Sequence, residues 1–195
     1  VKKHAVVFIL PVILMVVIGA SGFYYLNQED TLTNEQLKEE MEWSTAVEVE
    51  NDGAQLTVEW NWPQLPEEGA YGTDYIGVEF PISEDDTLAS GSLELYRGEE
   101  VIHEDSGTVV PNGIIFAYPT ELDEYESYGT TGKIELFVPD SVASYDEITV
   151  SMLHTWTNHS ELTLEDARFE APKFGEATGV SHWVRTEPLS EEHVR

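Results

Sequence analysis

The chain contains no cysteine. That absence excludes disulfides, thiolate metal sites, a lipid anchor through a thioether and a thiol nucleophile at once. Basic residues are scarce as well: nine Lys and Arg stand against 38 Asp and Glu, for a net charge of −29. Lys2 and Lys3 precede the first acidic residue, Glu29, so the chain beyond that point holds seven basic and 38 acidic groups. Nucleic acid is not a partner for such a chain, because its phosphates need clustered Lys and Arg. Acidity of this degree reads as adaptation to a salty or alkaline exterior, where ions screen the self-repulsion. A cation-collecting surface is the functional alternative.

The common catalytic signatures are missing too. There is no Gly-x-Ser-x-Gly elbow, no His-Glu-x-x-His, no phosphate-binding loop, no dinucleotide-binding glycine pattern and no EF-hand loop. No long amphipathic helix follows the N-terminal region, which leaves nothing to cover a parallel sheet and excludes doubly wound α/β folds.

What the N-terminus does have is an uncharged run over residues 5–26, 22 residues long. At about 1.5 Å per residue a helix of that length spans a bilayer core. Lys2 and Lys3 on one side, with Glu29 and Asp30 on the other, put the N-terminus in the cytoplasm and the rest outside. Phe23, Tyr24 and Tyr25 fall where an interfacial aromatic belt sits. Residues 1–26 are therefore expected to be an uncleaved transmembrane signal-anchor. The alternative is a signal peptide cut near Ala20-Ser21-Gly22. Both place the remainder outside the cell, and the lack of cysteine there fits a bacterial envelope.

Residues 27–43 read as a juxtamembrane linker with a short helix. Thr33 and Gln36 have capping-box spacing, and Leu37 and Met41 share a face. From residue 44 the apolar period becomes two. Leu56, Val58, Trp60 and Trp62 form one stripe, Ile134, Leu136 and Val138 another, and Ile148, Val150, Met152 and Trp156 a third. Strands are expected at 46–50, 55–62, 75–80, 93–97, 100–103, 114–118, 133–138 and 147–157, with weaker ones at 162–169 and 181–185. Asn51-Asp52-Gly53 is expected to turn through a glycine at positive φ, and Gly98-Glu99 to close a second hairpin. Short strands at regular spacing predict an all-β fold, an antiparallel β-sandwich of immunoglobulin-like or jelly-roll-like type, over residues 44–195.

Candidate sites are few. Trp60, Trp62, Tyr71 and Tyr75 lie close together around a Gly- and Pro-containing loop. The stripe places the tryptophans in the core; exposed, the four rings would stack on a sugar or anchor a protein partner. Asp123, Glu124 and Glu126 form the densest acidic cluster, with Glu84, Asp85 and Asp86 second. Such loops are ordinarily solvated; as a site they suit Ca²⁺, which takes six to eight oxygens. His154 shares parity with Met152 and Trp156, so it reads as a core-edge histidine with one hydrogen bond. His159 has the opposite parity and joins it only if the strand ends between them.

The function expected from these features is a membrane-anchored, non-enzymatic accessory or binding module. Its partner would be another envelope protein or a cell-wall component. The alternatives are a glycan- or wall-active hydrolase working through two carboxylates, and a Ca²⁺-dependent module.

Overall fold

The computed structural model describes residues 11, 13–21, 31–81, 90–123, 126–139 and 143–195. The chain divides into two units, Val1–Leu32 and Thr33–Arg195. In the first, residues 11 and 13–21 are helical, and the side chains of Ile13, Leu14, Met15, Val16, Val17 and Ile18 are exposed. Among the described residues no helix is long and apolar enough to cross a membrane. Much of the run expected to span one, residues 5–10, 12 and 22–26, lies outside those residues.

The second unit opens with helix α1 (Asn34–Glu40). Its capping box forms as expected, with the Thr33 side chain accepting from Gln36 N and Gln36 Oε1 accepting from Thr33 N. Leu37 and Met41 are both buried. The helix of the expected linker thus folds with the sheets.

Twelve strands follow among the described residues. They are β1 (Glu42–Val49), β2 (Gly53–Asn61), β3 (Thr73–Glu79), β4 (Ser90–Arg97), β5 (Glu100–Asp105), β6 (Thr108–Val110), β7 (Gly113–Pro119), β8 (Leu122–Asp123), β9 (Glu126–Ser127), β10 (Thr131–Pro139), β11 (Thr149–Thr155) and β12 (His182–Pro188). Sheet 1 has the order β1-β2-β10-β4-β5 and sheet 2 the order β12-β11-β3-β7-β6, with β8-β9 a separate pair. Every strand pairing is antiparallel. The fold is thus mostly β and sandwich-like, as the period-two stripes predict.

The inner faces make the main core. Leu56, Val58 and Trp60 of β2 align with Leu136, Ile134 and Gly132 of β10. They face Ile76, Val78, Phe116, Val150 and Met152 of sheet 2, all fully or nearly fully buried. The Trp60 and Tyr118 rings meet across the layers at 5.1 Å. Each such buried aliphatic side chain contributes about 1.5–3 kcal/mol.

The two sheets differ on their outer faces. Sheet 1 alternates buried and exposed along β2 and β10, as an open antiparallel face should. In sheet 2 the central strands β11, β3 and β7 are buried on both sides, and every residue of β11 is buried. Residues 156–181 supply the cover. Leu162, Ala167, Phe169 and Phe174 pack on Tyr75, Ile115 and Leu153 in a second apolar cluster.

This cover corrects one expectation, since residues 162–169 form no strand. Asp166 organises a turn instead, its carboxylate accepting from the backbone N–H of Arg168 and Glu170 and from Asn112 Nδ2. Phe169 sits at φ 56, a costly conformation for a bulky residue, held by burial of its ring against Tyr75. Gly77 lets the cover approach: a Cβ there would lie 2.0 Å from the Ala167 carbonyl oxygen.

The first hairpin carries a second correction. Gly53 lies within β2 and has no positive φ. Glycine is needed there for space, because a Cβ would stand 2.5 Å from the Val138 carbonyl oxygen and 2.6 Å from the Phe137 ring. Gly98 does take φ 60, as the β4–β5 turn requires.

One side of the sandwich is stapled by Glu187 of β12. Its Oε2 accepts from Trp43 Nε1 at 2.6 Å and from Thr45 Oγ1 at 3.0 Å, both on β1. The C-terminal residues then cover the free edge of β1, with a parallel bridge from Val47 to Val194 and a bond from Arg195 N to Val47 O. Covering an edge in this way blocks pairing with another chain.

Candidate functional site

The outer face of sheet 1 carries a surface groove of about 790 Å³, lined by Glu42, Ser44, Glu59, Asn61, Tyr96, Thr131 and Lys133, with Trp43 at its side. Its chemistry follows from strand register. Glu59 and Glu94 lie directly opposite Lys133 on the two neighbouring strands, and Ser44 and Glu104 extend that row. Lys133 also pairs with Glu135 at 2.5 Å. The hydrogen bond that Lys133 donates to Glu135 raises the Lys133 pKa against the lowering effect of burial. Tyr96 donates to Glu94, and that bond first, then burial, pushes its phenol up to about 12. Asn61 donates to Glu42 Oε2 and accepts from Thr131 Oγ1, both at 2.9 Å.

The result is an ordered field of carboxylates, hydroxyls and one ammonium. By register, the carboxylates of Glu42, Glu48, Glu59, Glu94, Glu104 and Glu135 share the face with a single cation, Lys133. Such a surface complements a cationic or polyhydroxylated ligand.

A second polar cluster is sealed inside. His154 and Asp74 are fully buried, with Nδ1 2.7 Å from Asp74 Oδ2. Asp74 Oδ1 accepts from Thr155 N at 2.9 Å. His154 Nε2 lies 2.9 Å from Oδ1 of Asn34, itself fully buried at the start of α1. The Asn34 amide nitrogen donates to Glu68 and to Gly69 O, so its oxygen must face the imidazole. Both imidazole nitrogens therefore have hydrogen-bond partners. The rings of Trp62, Trp156 and Trp183 stand 5.1–5.5 Å from the imidazole. His154 is thus a core histidine with two hydrogen bonds where one was expected. Closed off in this way, the pair is not available to a substrate.

The aromatic cluster expected at Trp60, Trp62, Tyr71 and Tyr75 is not one surface. Trp60 and Trp62 are buried, Trp60 donating to Gly129 O at 2.9 Å. Tyr75 is buried on the opposite, outer side of sheet 2, where its hydroxyl accepts from Leu162 N. Only Tyr71 is exposed. The reason is parity. Asp74, Ile76 and Val78 point inward on β3, so Tyr75 points outward.

Glu124, and the side chains of Asp123 and Glu126, lie outside the described residues, as do Glu84, Asp85 and Asp86. The backbone pairs Asp123 with Glu126 across β8–β9. Among the described residues no group of three His, Asp or Glu is placed to hold a metal ion. His159 bonds Thr155 Oγ1 at 2.8 Å, past the end of β11, and does not reach the His154 cluster. Among the described residues the two carboxylates with displaced pKa values, Asp166 and Glu187, are both held low, opposite to a general acid.

Comparison of the chain with protein-family models, curated proteins and solved structures finds no match.

Proposed function

We propose that this protein is a non-enzymatic binding module of a bacterial cell envelope, tethered by its apolar N-terminal segment, whose outer sheet 1 face engages its partner. The observation that carries the reading is the groove along Glu42, Glu59, Asn61, Tyr96, Thr131 and Lys133. Sheet 2 has its outer face under a covering segment, while sheet 1 leaves an ordered polar face open. The charge sequence around residues 2–30 supports an exterior location, and the excess of acid supports a saline or alkaline one.

The strand order supports the immunoglobulin-like type of sandwich over the jelly-roll. Successive strands β2 and β3 lie in opposite sheets, as do β10 and β11, with β2 beside β10 and β3 beside β11. That interlocking is the arrangement of strands B, C, E and F in an immunoglobulin domain.

The carboxylate-rich field supports a partner that presents basic side chains, another envelope protein before a neutral wall glycan. Capture of partners by the full-length, detergent-solubilised protein tests this. The double variant Glu59→Gln/Glu94→Gln should keep the wild-type Tm within a few degrees, because both side chains lie on the outer face and the amides leave no like charges opposed to Lys133, and should lose the captured partner. Undiminished capture, or turnover of a substrate by the purified protein, would overturn the proposal.

A further inference from the structure

Sheets 1 and 2 each end in two edge strands: β1 and β5, and β12 and β6. Three of these edges are guarded. The edge of β1 lies under the C-terminal residues. Strand β5 breaks register at Leu95/Tyr96 and carries Glu100, Glu104 and Asp105. Strand β6 is three residues long. Cover, bulges, charge and shortness are the devices that keep an edge from pairing. Strand β12 runs for seven residues in unbroken register with β11. Its charged side chains turn inward, Arg185 to the Lys38 carbonyl and Glu187 to β1. The outer-face side chains are His182, Val184, Thr186 and Pro188, without a carboxylate in a chain that has 38 Asp and Glu.

The ladder sets the direction of the free backbone groups. At its two ends Leu189 N donates to Ile148 O and Trp156 N to Ser181 O. Bonded pairs alternate along an antiparallel ladder, so Glu187, Arg185 and Trp183 are the residues that bond β11 between those ends. The N–H and C=O groups of His182, Val184 and Thr186 therefore point away from the sheet. Among the described residues no backbone bond reaches them from that side. A groove of about 620 Å³ runs along this edge, lined by Lys38 and Trp183 as well as by Val184, Thr186 and Pro188.

An edge of this kind accepts a β-strand, which offers donors and acceptors in the matching alternation. The three open residues are symmetric about Val184. A second β12 laid antiparallel, with the two Val184 residues opposed, sets His182 against Thr186 on both sides and closes about six backbone hydrogen bonds. Pro188, which has no N–H, falls outside that set. Charge favours the same contact. Copies of a chain with net charge −29 repel one another, and here they meet on faces without a carboxylate, beside Lys38 and Arg168.

We propose that β12 is a self-association edge, through which two copies of the chain pair antiparallel and join their five-stranded sheets 2 into one. The sheet 1 groove takes no part in the test, so the two readings stand or fall separately.

The full-length chain in detergent, followed by analytical ultracentrifugation, should form a dimer. Its Kd should tighten by about tenfold between 0.1 and 1 M NaCl, because salt screens the repulsion between the copies. Val184→Pro should fold, since that N–H takes no part in the ladder, and should stay monomeric. Val184→Cys gives a reading that a folding defect in the proline variant cannot mimic, because the chain has no other thiol. Bonded cross-strand partners stand about 5.5 Å apart at Cα, within disulfide reach. Mild oxidation should link most of V184C into covalent dimers and leave Glu99→Cys, at the exposed β4–β5 turn, unlinked. A monomer at every salt concentration, a dimer weakened by salt, a dimer kept by V184P, or equal cross-linking of V184C and E99C would overturn the proposal.

Discussion

Replacing Gly77 with Ala probes how the cover over sheet 2 is held. The new Cβ would lie 2.0 Å from the Ala167 carbonyl oxygen and 2.8 Å from its carbon. Ordinary contact begins near 3.4 Å, so the backbone of the cover must retreat by about 1.4 Å, or β3 must bend. The cover has little slack at this point. Asn112 Oδ1 accepts from Ala167 N at 2.9 Å and its Nδ2 donates to Asp166 at 2.8 Å. A retreat of that size breaks both bonds, each worth about 1 kcal/mol. Overpacking a rigid site adds about 1–3 kcal/mol. Together these amount to about 3–5 kcal/mol, or roughly 8–15 °C in Tm for a domain of this size. The damage should be local first. Tyr75, Ile115, Leu153 and Phe169 lose their shared packing, while the core between the sheets stays closed. Thermal unfolding followed by circular dichroism measures the first effect. Limited proteolysis measures the second, with new cleavage expected within residues 156–181. A Tm within 2 °C of wild type, with an unchanged cleavage pattern, would refute the argument that the cover is docked through this glycine.

Two further outcomes follow from single groups. Burial alone would raise the Glu187 pKa, but hydrogen bonds from Trp43, His193 and Thr45 outweigh it and leave the pKa lowered. A depressed carboxylate gives stability that is present above its unfolded pKa, about 4.3, and lost as pH falls through the folded value. Glu187→Gln should therefore lower Tm at pH 6, and the gap to wild type should shrink as pH falls below the unfolded value and through the lowered folded one, as read by thermal melts across an acid series; a constant gap would contradict the assignment. Trp60→Phe removes the donor to Gly129 O from a fully enclosed site and leaves a void beside Tyr118. It should cost about 2–4 kcal/mol in urea unfolding with the slope unchanged, and a loss under 1 kcal/mol would mean that the site relaxes around the smaller ring.

Much of the sandwich was legible because burial on one face writes a period of two. The stripes at Leu56–Trp60 and Ile134–Val138 became the paired centre of sheet 1. The polar alternates Thr57, Glu59 and Asn61 already mark the open face. Legibility failed where burial is two-sided or made by irregular chain. Residues 162–169 carry strand-like apolar spacing because they cover a sheet, not because they join one. Strand β6, three residues long, is too short to show a period. Gly53 looked like a turn residue, and its actual need for space depends on Phe137 and Val138, which the turn pattern does not contain. The Asn34–His154–Asp74 cluster left no local signal at all. Its members are 120 and 80 residues apart along the chain, and only the register of β3 with β11 and the docking of α1 bring them together.

The uneven burial of the two sheets also divides the molecule by its capacity to change. On sheet 2 a substitution on either face meets packed atoms, so nearly every position of β3, β7 and β11 is constrained by stability. On sheet 1, positions such as 42, 44, 59, 61 and 135 meet solvent on one side and a rigid backbone on the other. Surface changes of that kind are usually within about 0.5 kcal/mol of neutral. A new pattern of charge or hydroxyls can be written there without refolding anything, which makes this face the part of the molecule on which a different partner could be acquired.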